Sequence, residues 1–386
     1  MGERSSWGVP AVTTKNGTIL IKNIYYMLAY AFRSLESYGY QEIAGEEFSN
    51  IHDLFAVILA KEVSRQIKRG LYREYHSRAE ALPTVRGKID LQGTIGNKIK
   101  RERCVTCEYD ELTENNPLNQ ILKTTICLLL RHGKITDERY TELRRILPFF
   151  SNIDEIDAKS IAWEAVHLQR NNQSYRLALG VCQLILEGML LTTESGQYRL
   201  SSFVDSQQMH RLYEKFILEF YTAEYPFAKA SSPQITWALD DGAGTLLPTM
   251  QTDIVLSRNN EVLIIDAKYY SHSMQYSFGT ATIHSANLYQ IFTYVKNKEA
   301  ELSDRPHRVA GILLYAKTDE ALQPEGDYCM SGNQIKVSAL DLNRDFQEIQ
   351  ARLISIANQF FGLFGGFCGR DSGIGPAQRA KTTIWN

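Results

Sequence analysis

The stretch EVLIIDAKYY, Glu261 to Tyr270, decides the reading of the chain. Val262, Leu263, Ile264 and Ile265 form a short apolar run of the kind that fills a buried β-strand. That run leads straight into Asp266-Ala267-Lys268. On a strand, positions i and i+2 share a face, so Asp266 and Lys268 project together and Ala267 points the other way. Thirteen positions upstream of Asp266, Asp253 sits in MQTDIVLS, a second predicted strand, and SRNNE between the two has the composition of a turn. A hairpin joining the strands brings Asp253 towards Asp266.

Two carboxylates converging on one point hold a hard divalent cation, Mg²⁺ or Mn²⁺. A lysine beside them orients water and stabilises charge developing on a phosphoryl group. This is the minimum equipment for metal-assisted phosphodiester hydrolysis. Glu214, on a predicted helix in LYEKFI, is a candidate third carboxylate, and Ala267 is counted among the metal-holding positions with Asp253, Asp266 and Glu214. Gln290 and Tyr294 are four apart in NLYQIFTYV and share a helix face, suited to hold the lysine, a water or a phosphate. Leu288, Ile291, Phe292 and Val295 form the expected packing stripe. Each signal alone has a plainer reading. Acid–lysine pairs at strand ends are commonly solvated ion pairs, Glu214 reads equally as a surface residue, and Tyr294 as core. The order of helix with Glu, strand with Asp, strand with DxK and helix with QxxxY gives them joint weight.

Outward from this centre, the second half alternates helix and strand, an α/β pattern. SQQMHRLYEKFILEFYTAEY and SANLYQIFTYVKN read as helices, AGILLYAK and QIKVSALDL as strands, and Arg344 to Phe361 as a closing helix. The first half reads as mostly helical, α+β overall, with predicted helices at IKNIYYMLAYAFRSL, at IHDLFAVILAKEVSRQIKRG stopping at Gly70, and after Thr113 and Pro117, stopping at Gly133. Further helices are expected over 137–147 and 175–191. Between them, residues 71–107 are β-prone. Residues 61–103 hold twelve Lys or Arg against five acids, an excess of seven in a chain whose net charge is only -2. Such a window is either a solvated face or a docking surface for an acidic partner or phosphates. The expected organisation is a flexible arm over 1–19, a helical docking domain over 20–200, a catalytic domain over 201–362 and a disordered tail over 363–386.

At 386 residues and 44% apolar, the chain is long enough for two sizeable cores. Its near-neutral charge excludes a polycation. Six scattered cysteines do not make a disulfide framework and fit a reducing cytoplasm. Cys104 and Cys107 lack the second ligand pair of a zinc knuckle and read as ordinary thiols. No membrane span and no signal peptide is visible, and the match of MGERSS to a myristoylation pattern has no supporting anchor.

The order of motifs resembles the PD-(D/E)xK nucleases, with Gln290 and Tyr294 matching the QxxxY of some branches. Thr252 stands where the pattern has proline. IKNIYYMLAYAF, RGL, VRGKIDL, ENNPLNQILKTT, LLPTMQTDIVL, LIIDAKYY, HSANLYQIFTYV and GILLYAK, spanning residues 21–361, resemble the McrC family of nuclease subunits in McrBC restriction systems. That resemblance implies a restriction-endonuclease-like C-terminal domain that cuts double-stranded DNA. It also implies an N-terminal part that docks on a hexameric McrB-like AAA+ GTPase recognising methylated cytosine, and stimulates it. The chain has no GxxxxGK[ST] phosphate loop, in keeping with a motor on a separate polypeptide. Two other functions stay open: a nuclease-fold regulator that mainly activates the motor, and a stand-alone repair nuclease.

Overall fold

The computed structural model describes residues 13–14, 17–33, 48, 50–192, 198–201, 204–242, 244–277 and 280–362. Most of the expected arm and the whole expected tail over 363–386 therefore lie outside the described residues. The chain divides into two compact units. The first is Met1–Phe220 with Tyr269–Ser271 and Leu342–Phe346; the second is Tyr221–Lys268, His272–Asp341 and Gln347–Asn386.

In the first unit, β1 (Thr13–Thr14) and β2 (Gly17–Thr18) form a small antiparallel ladder inside the expected arm. Helix α1 (Ile21–Ala31) follows. It is shorter than its apolar spacing suggests, because Phe32 caps it and Arg33 takes a positive φ; Leu35, expected on its face, lies outside the described residues. Helix α2 (Ile51–Arg69) starts at Asn50, whose side chain accepts from the N–H groups of His52 and Asp53, and stops at Gly70, φ +86°.

The basic window then folds as β3 (Glu74–Leu82), β4 (Lys88–Ile89), helix α3 (Leu91–Ile99) and β5 (Val105–Thr113), in the sheet order β3-β5-β4. The helix was not legible as one, because two glycines and a threonine interrupt its nine residues; Asp90 caps it through the amides of Gln92 and Gly93. Helix α4 (Pro117–His132) is capped by Asn116 rather than Thr113, which instead ends β5. Helices α5 (Asp137–Ile146) and α6 (Arg176–Gly188) and the hairpin β6 (Leu190–Thr192)–β7 (Tyr198–Leu200) come next. One buried polar set in this unit centres on Tyr175. Tyr175 Oη accepts from the Tyr72 N–H at 2.9 Å and donates to Asn119 Oδ1 at 3.0 Å.

Helix α7 (Ser206–Glu224) belongs to the first unit through Phe220. Within that unit Tyr30 of α1 packs on Phe216 and Phe220 of α7, with ring centroids 5.8 and 5.4 Å apart.

The second unit is built on a six-stranded sheet. Its strands are β8 (Lys229–Ser231), β11 (Ile254–Arg258), β12 (Glu261–Lys268), β15 (Arg308–Ala316), β16 (Gly326–Met330) and β17 (Asn333–Leu340), in the order β16-β17-β15-β12-β11-β8. Strands β9 (Gln234–Ile235) and β10 (Met250–Gln251) form a separate ladder, as do β13 (Gln275–Ser277) and β14 (Thr280–Thr282). Strands β12, β15 and β17 are parallel, and helix α8 (Ser285–Glu301) lies between β12 and β15 in the chain. Helix α9 (Phe346–Phe360) closes the fold.

Seven of the eight residues of β12 are buried, so its apolar run does not alternate: both faces of the sheet are covered. Gly311 of β15 explains how closely α8 approaches. A Cβ there would sit 2.6 Å from Ile291 Cγ1 and 2.9 Å from Val295 Cγ2. Gly311 pairs with Ile264, so Ile264, Asp266 and Lys268 share the face that α8 covers.

Candidate active site

Strands β11 and β12 form the expected hairpin, with Arg258 opposite Glu261 and Asn259–Asn260 as a two-residue turn. Asn259 takes φ +55°, a conformation asparagine tolerates better than most residues. The register pairs Ile254 with Ile265, which sets Asp253 opposite Asp266. The expected strand MQTDIVLS is split, and Asp253 sits in the break between β10 and β11. The break is pinned by Thr252, whose N–H and hydroxyl both donate to the Pro233 carbonyl, at 3.2 and 2.6 Å. A proline at 252 has no N–H to make the first of these bonds.

Asp253 Oδ2 accepts the Ala267 N–H at 2.9 Å. Ala267, expected among the metal-holding positions, thus meets Asp253 as a donor that orients the carboxylate. Asp266 and Lys268 share a face as expected, with Lys268 Nζ 2.7 Å from Asp266 Oδ2 and side-chain exposures of only 7% and 1%. Lys268 also donates to Gln290 Oε1 at 3.1 Å. Gln290 Nε2 donates to the Tyr294 hydroxyl at 2.9 Å, and that hydroxyl donates to the Gln251 carbonyl at 2.9 Å. A continuous chain of polar contacts therefore runs from Asp266 through Lys268, Gln290 and Tyr294 to the backbone two residues before Asp253. Burial raises the Tyr294 pKa, the Gln290 hydrogen bond lowers it, and the charges of Asp266 and Asp253 raise it. The net shift is upward, so the phenol stays protonated as a donor.

Glu214, the candidate third carboxylate, belongs to the first unit, where its carboxylate lies 2.8 Å from His210 Nε2, one helical turn away, and His210 Nδ1 accepts from the Tyr269 N–H at 3.3 Å. Among the described residues, no three His, Cys, Asp or Glu side chains gather to hold a metal. Asp253 and Asp266 carry hard carboxylate oxygens of the kind Mg²⁺ accepts while keeping several waters. Cys104 and Cys107 are free thiols.

The expected packing stripe on α8 is rotated. Ile291 and Val295 are buried, but Asn287 and Tyr294 are buried with them, whereas Leu288 and Phe292 are only half-buried. Asn287 donates to Tyr315 Oη at 2.9 Å, and Asn297 accepts from the Ala238 N–H at 2.8 Å. Sequence reasoning passed over these two asparagines. The signal was the spacing 3, 4, 3 through Asn287, Gln290, Tyr294 and Asn297, a polar stripe at helical period.

Of the twelve cations in the basic window, Arg65, Arg73, Arg78, Arg86 and Lys88 pair with Glu62, Glu114, Glu111, Glu111 and Glu108. Glu108, Glu111 and Glu114 lie beyond the window, on or just after β5, so part of the apparent excess is neutralised in the fold.

Fold and site together define a mixed helix-and-strand protein with a buried acid–lysine cluster where the parallel strand β12 ends. The family described as McrBC 5-methylcytosine restriction system component matches residues 11–316. That is well over half of the chain, which therefore belongs to this family. The chain is 28% identical over 347 residues to an Escherichia coli (strain K12) protein described as type IV methyl-directed restriction enzyme EcoKMcrBC, covering 89% of this chain and 98% of that relative. Its fold is similar to a chain in the refined half-complex from a tetradecameric assembly of Thermococcus gammatolerans McrB AAA+ hexamers with bound McrC. The TM-score is 0.50 at 19% identity, covering 88% of this chain and 76% of that one. Among the described residues, no helix is long and apolar enough to cross a membrane.

Proposed function

We propose that the chain is the DNA-cutting subunit of a methylcytosine-dependent restriction complex, with a PD-(D/E)xK-type site in its second unit and a McrB-like AAA+ GTPase ring as partner. The observation that carries the reading is the register of the β11–β12 hairpin. It sets Asp253 opposite Asp266 and leaves Lys268 on the same face as Asp266, held by Gln290.

Asp253 and Asp266 would hold Mg²⁺, which when bound supplies charge neutralisation for the scissile phosphate. The chain's own residues do the rest. The Ala267 N–H fixes one Asp253 oxygen, so that carboxylate enters the reaction already oriented. Gln290 accepts from Lys268, which sets the direction of the ammonium's other two donors. Burial at the end of β12 keeps water from screening the ammonium, so a donor aimed at developing phosphoryl charge counts for more than in solvent. Tyr294 ties this assembly to the backbone leading into Asp253.

The partner reading draws on the McrB hexamers in the related assembly and on a face of the first unit. Leu91, Ile95 and Ile99, spaced four apart on α3, are 71%, 58% and 78% exposed, among Lys98, Lys100, Arg101 and Arg103. An apolar stripe with a basic rim suits a protein surface better than bare phosphates. The test is reconstitution with a McrB-like partner, GTP, Mg²⁺ and DNA bearing 5-methylcytosine. Cutting by the parent and its loss in Asp253→Asn is the expected pair of results. A parent that raises the partner's GTP hydrolysis but never cuts overturns the nuclease assignment.

A further inference from the structure

We propose that Leu246 is a wedge that enters a groove of the duplex and unstacks a base step beside the cleaved phosphate; this rests on the nuclease reading above. Strands β9 and β10 pair Ile235 with Met250 and Gln234 with Gln251, so the segment joining them, described over 236–242 and 244–249, returns to β10 just before Asp253. The base of that loop is rigid. Trp237 Nε1 donates to the Pro248 carbonyl at 2.7 Å, and the Ala238 N–H to Asn297 Oδ1 at 2.8 Å. Tyr294 Oη holds the Gln251 carbonyl. Tyr294 and Asn297 share a face of α8, and Gln290 of the same face holds Lys268. One helix face therefore sets both the lysine and the loop.

Beyond this brace the loop does what a solvated loop has no reason to do. Leu246 is 98% exposed and takes φ +76°. Leucine is disfavoured in that region and gains nothing from water. Leu239 and Leu247, both partly exposed, flank Gly244, where a Cβ would lie 3.1 and 3.9 Å from their Cδ1 atoms. The tip is thus an apolar point backed by two further leucines.

Its reach selects the occupant. Seven residues separate Leu246 from Asp253, at most about 24 Å of extended chain. That is less than one turn of duplex, about 34 Å. In the proposed pose a duplex seated at Asp253 and Lys268 runs past the tip, which this reach allows. Apolar side chains inserted between base pairs are an established way of kinking DNA. Asp240 and Asp241, exposed on the opposite limb, repel phosphates, so the approach is by the tip and not the flank.

The test uses the full chain with its McrB-like partner and a 5-methylcytosine duplex carrying 2-aminopurine at successive positions. Leu246→Gly and Leu246→Asn are chosen because both residues accept positive φ, so melting temperature should not fall. In an Asp253→Asn background, which holds DNA uncut, fluorescence should rise about threefold at one position as the base unstacks. It should stay flat in the Leu246→Asn and Leu246→Gly versions and survive in Leu246→Phe. With Asp253 intact, Leu246→Asn should cut about tenfold more slowly. Parental fluorescence and parental cutting in Leu246→Asn overturn the proposal, as does loss of partner assembly in that variant, which marks the tip as a protein contact. A chain that cuts while no position brightens also sinks the wedge and leaves the nuclease reading intact. A chain that brightens the probe yet never cuts supports the wedge and fails the nuclease reading.

Discussion

Lys268 and Asp266 are 2.7 Å apart with almost no exposure, so either charge left alone is stranded in a low-dielectric site. Removing one member of such a pair costs about 3–5 kcal/mol. Lys268→Gln belongs at the lower end, about 3 kcal/mol, since its amide can still donate to Asp266. Asp266→Asn strands the ammonium instead, and Gln290 remains as an acceptor for it. The double variant is different: an amide faces an amide, no charge is buried, and most of the loss should return. The double-mutant cycle should therefore give a coupling energy of at least about 2 kcal/mol.

The assay must read the second unit and not the whole chain, because two compact units need not unfold together. Native-state hydrogen exchange of amides in β12 and β15 does this directly. Cutting of methylated DNA is measured in parallel, below the unfolding transition of every variant. All three variants should be slower by about a thousandfold or more, roughly 4 kcal/mol of transition-state stabilisation. Recovered stability without recovered cutting separates the fold role of the pair from its chemical role. An additive cycle, with the double variant losing the sum of the two singles, would refute the coupling. Parental protection in either single variant would show that the pair is not buried as described.

Three further outcomes are expected. Asp253→Asn keeps an acceptor for the Ala267 N–H and should melt near the parent while losing cutting by about a thousandfold; Asp253→Ala orphans that N–H and should cost a further 1–3 kcal/mol or so in the same melt. His52 is buried, donates from Nε2 to the Ser201 carbonyl at 2.7 Å and accepts the Lys134 N–H at Nδ1, so burial holds its pKa below the ordinary value of 6.5. Its unfolded form therefore binds a proton first: the stability contribution is complete above pH 6.5 and declines as pH falls below it, and His52→Gln should flatten that slope in urea titrations at pH 7.5 and 5.5. Gly311→Ala forces a methyl against Ile291 and Val295, should cost about 1–3 kcal/mol, and should slow cutting although it lies outside the polar cluster.

The sheet core and the acid–lysine cluster were legible because strand period and turn composition are local signals. Two i+2 neighbours on β12 and an Asn-Asn turn are enough to place Asp253, Asp266 and Lys268. The partner of Glu214 was not legible, because a helix position says nothing about which neighbour its carboxylate meets; in the structure it is His210, one turn earlier. Helix α3 was missed because glycines at 93 and 96 weaken its propensity, while its support comes from Asp90 as cap and from Asn97 and Thr94 bonded to Thr106. Strand β16 was missed for a similar reason: GDYCM is short, and it forms by pairing with β17 across the Ser331–Gly332 turn.

The rotation of α8 carries the most consequence for function. An amphipathic reading turns Leu288 and Phe292 inward, and burying such side chains is worth about 1.5–3 kcal/mol each. The helix instead turns Asn287 and Tyr294 inward beside Ile291 and Val295. That arrangement holds only because Asn287, Gln290, Tyr294 and Asn297 each find a partner, on β15, on Lys268, on Gln251 and on Ala238. A buried polar group without a partner costs about 1–3 kcal/mol, enough to cancel the gain from an apolar neighbour. The stripe is thus stable as a set, and the set spans everything the proposed chemistry needs: the lysine, the backbone before Asp253 and the stem of the Leu246 loop. It follows that the position of α8 on the sheet, fixed at Gly311, governs the site as a whole. A small displacement there should disturb lysine, carboxylate and loop together, whereas a change confined to the Leu246 tip should leave the carboxylates and Lys268 as they are.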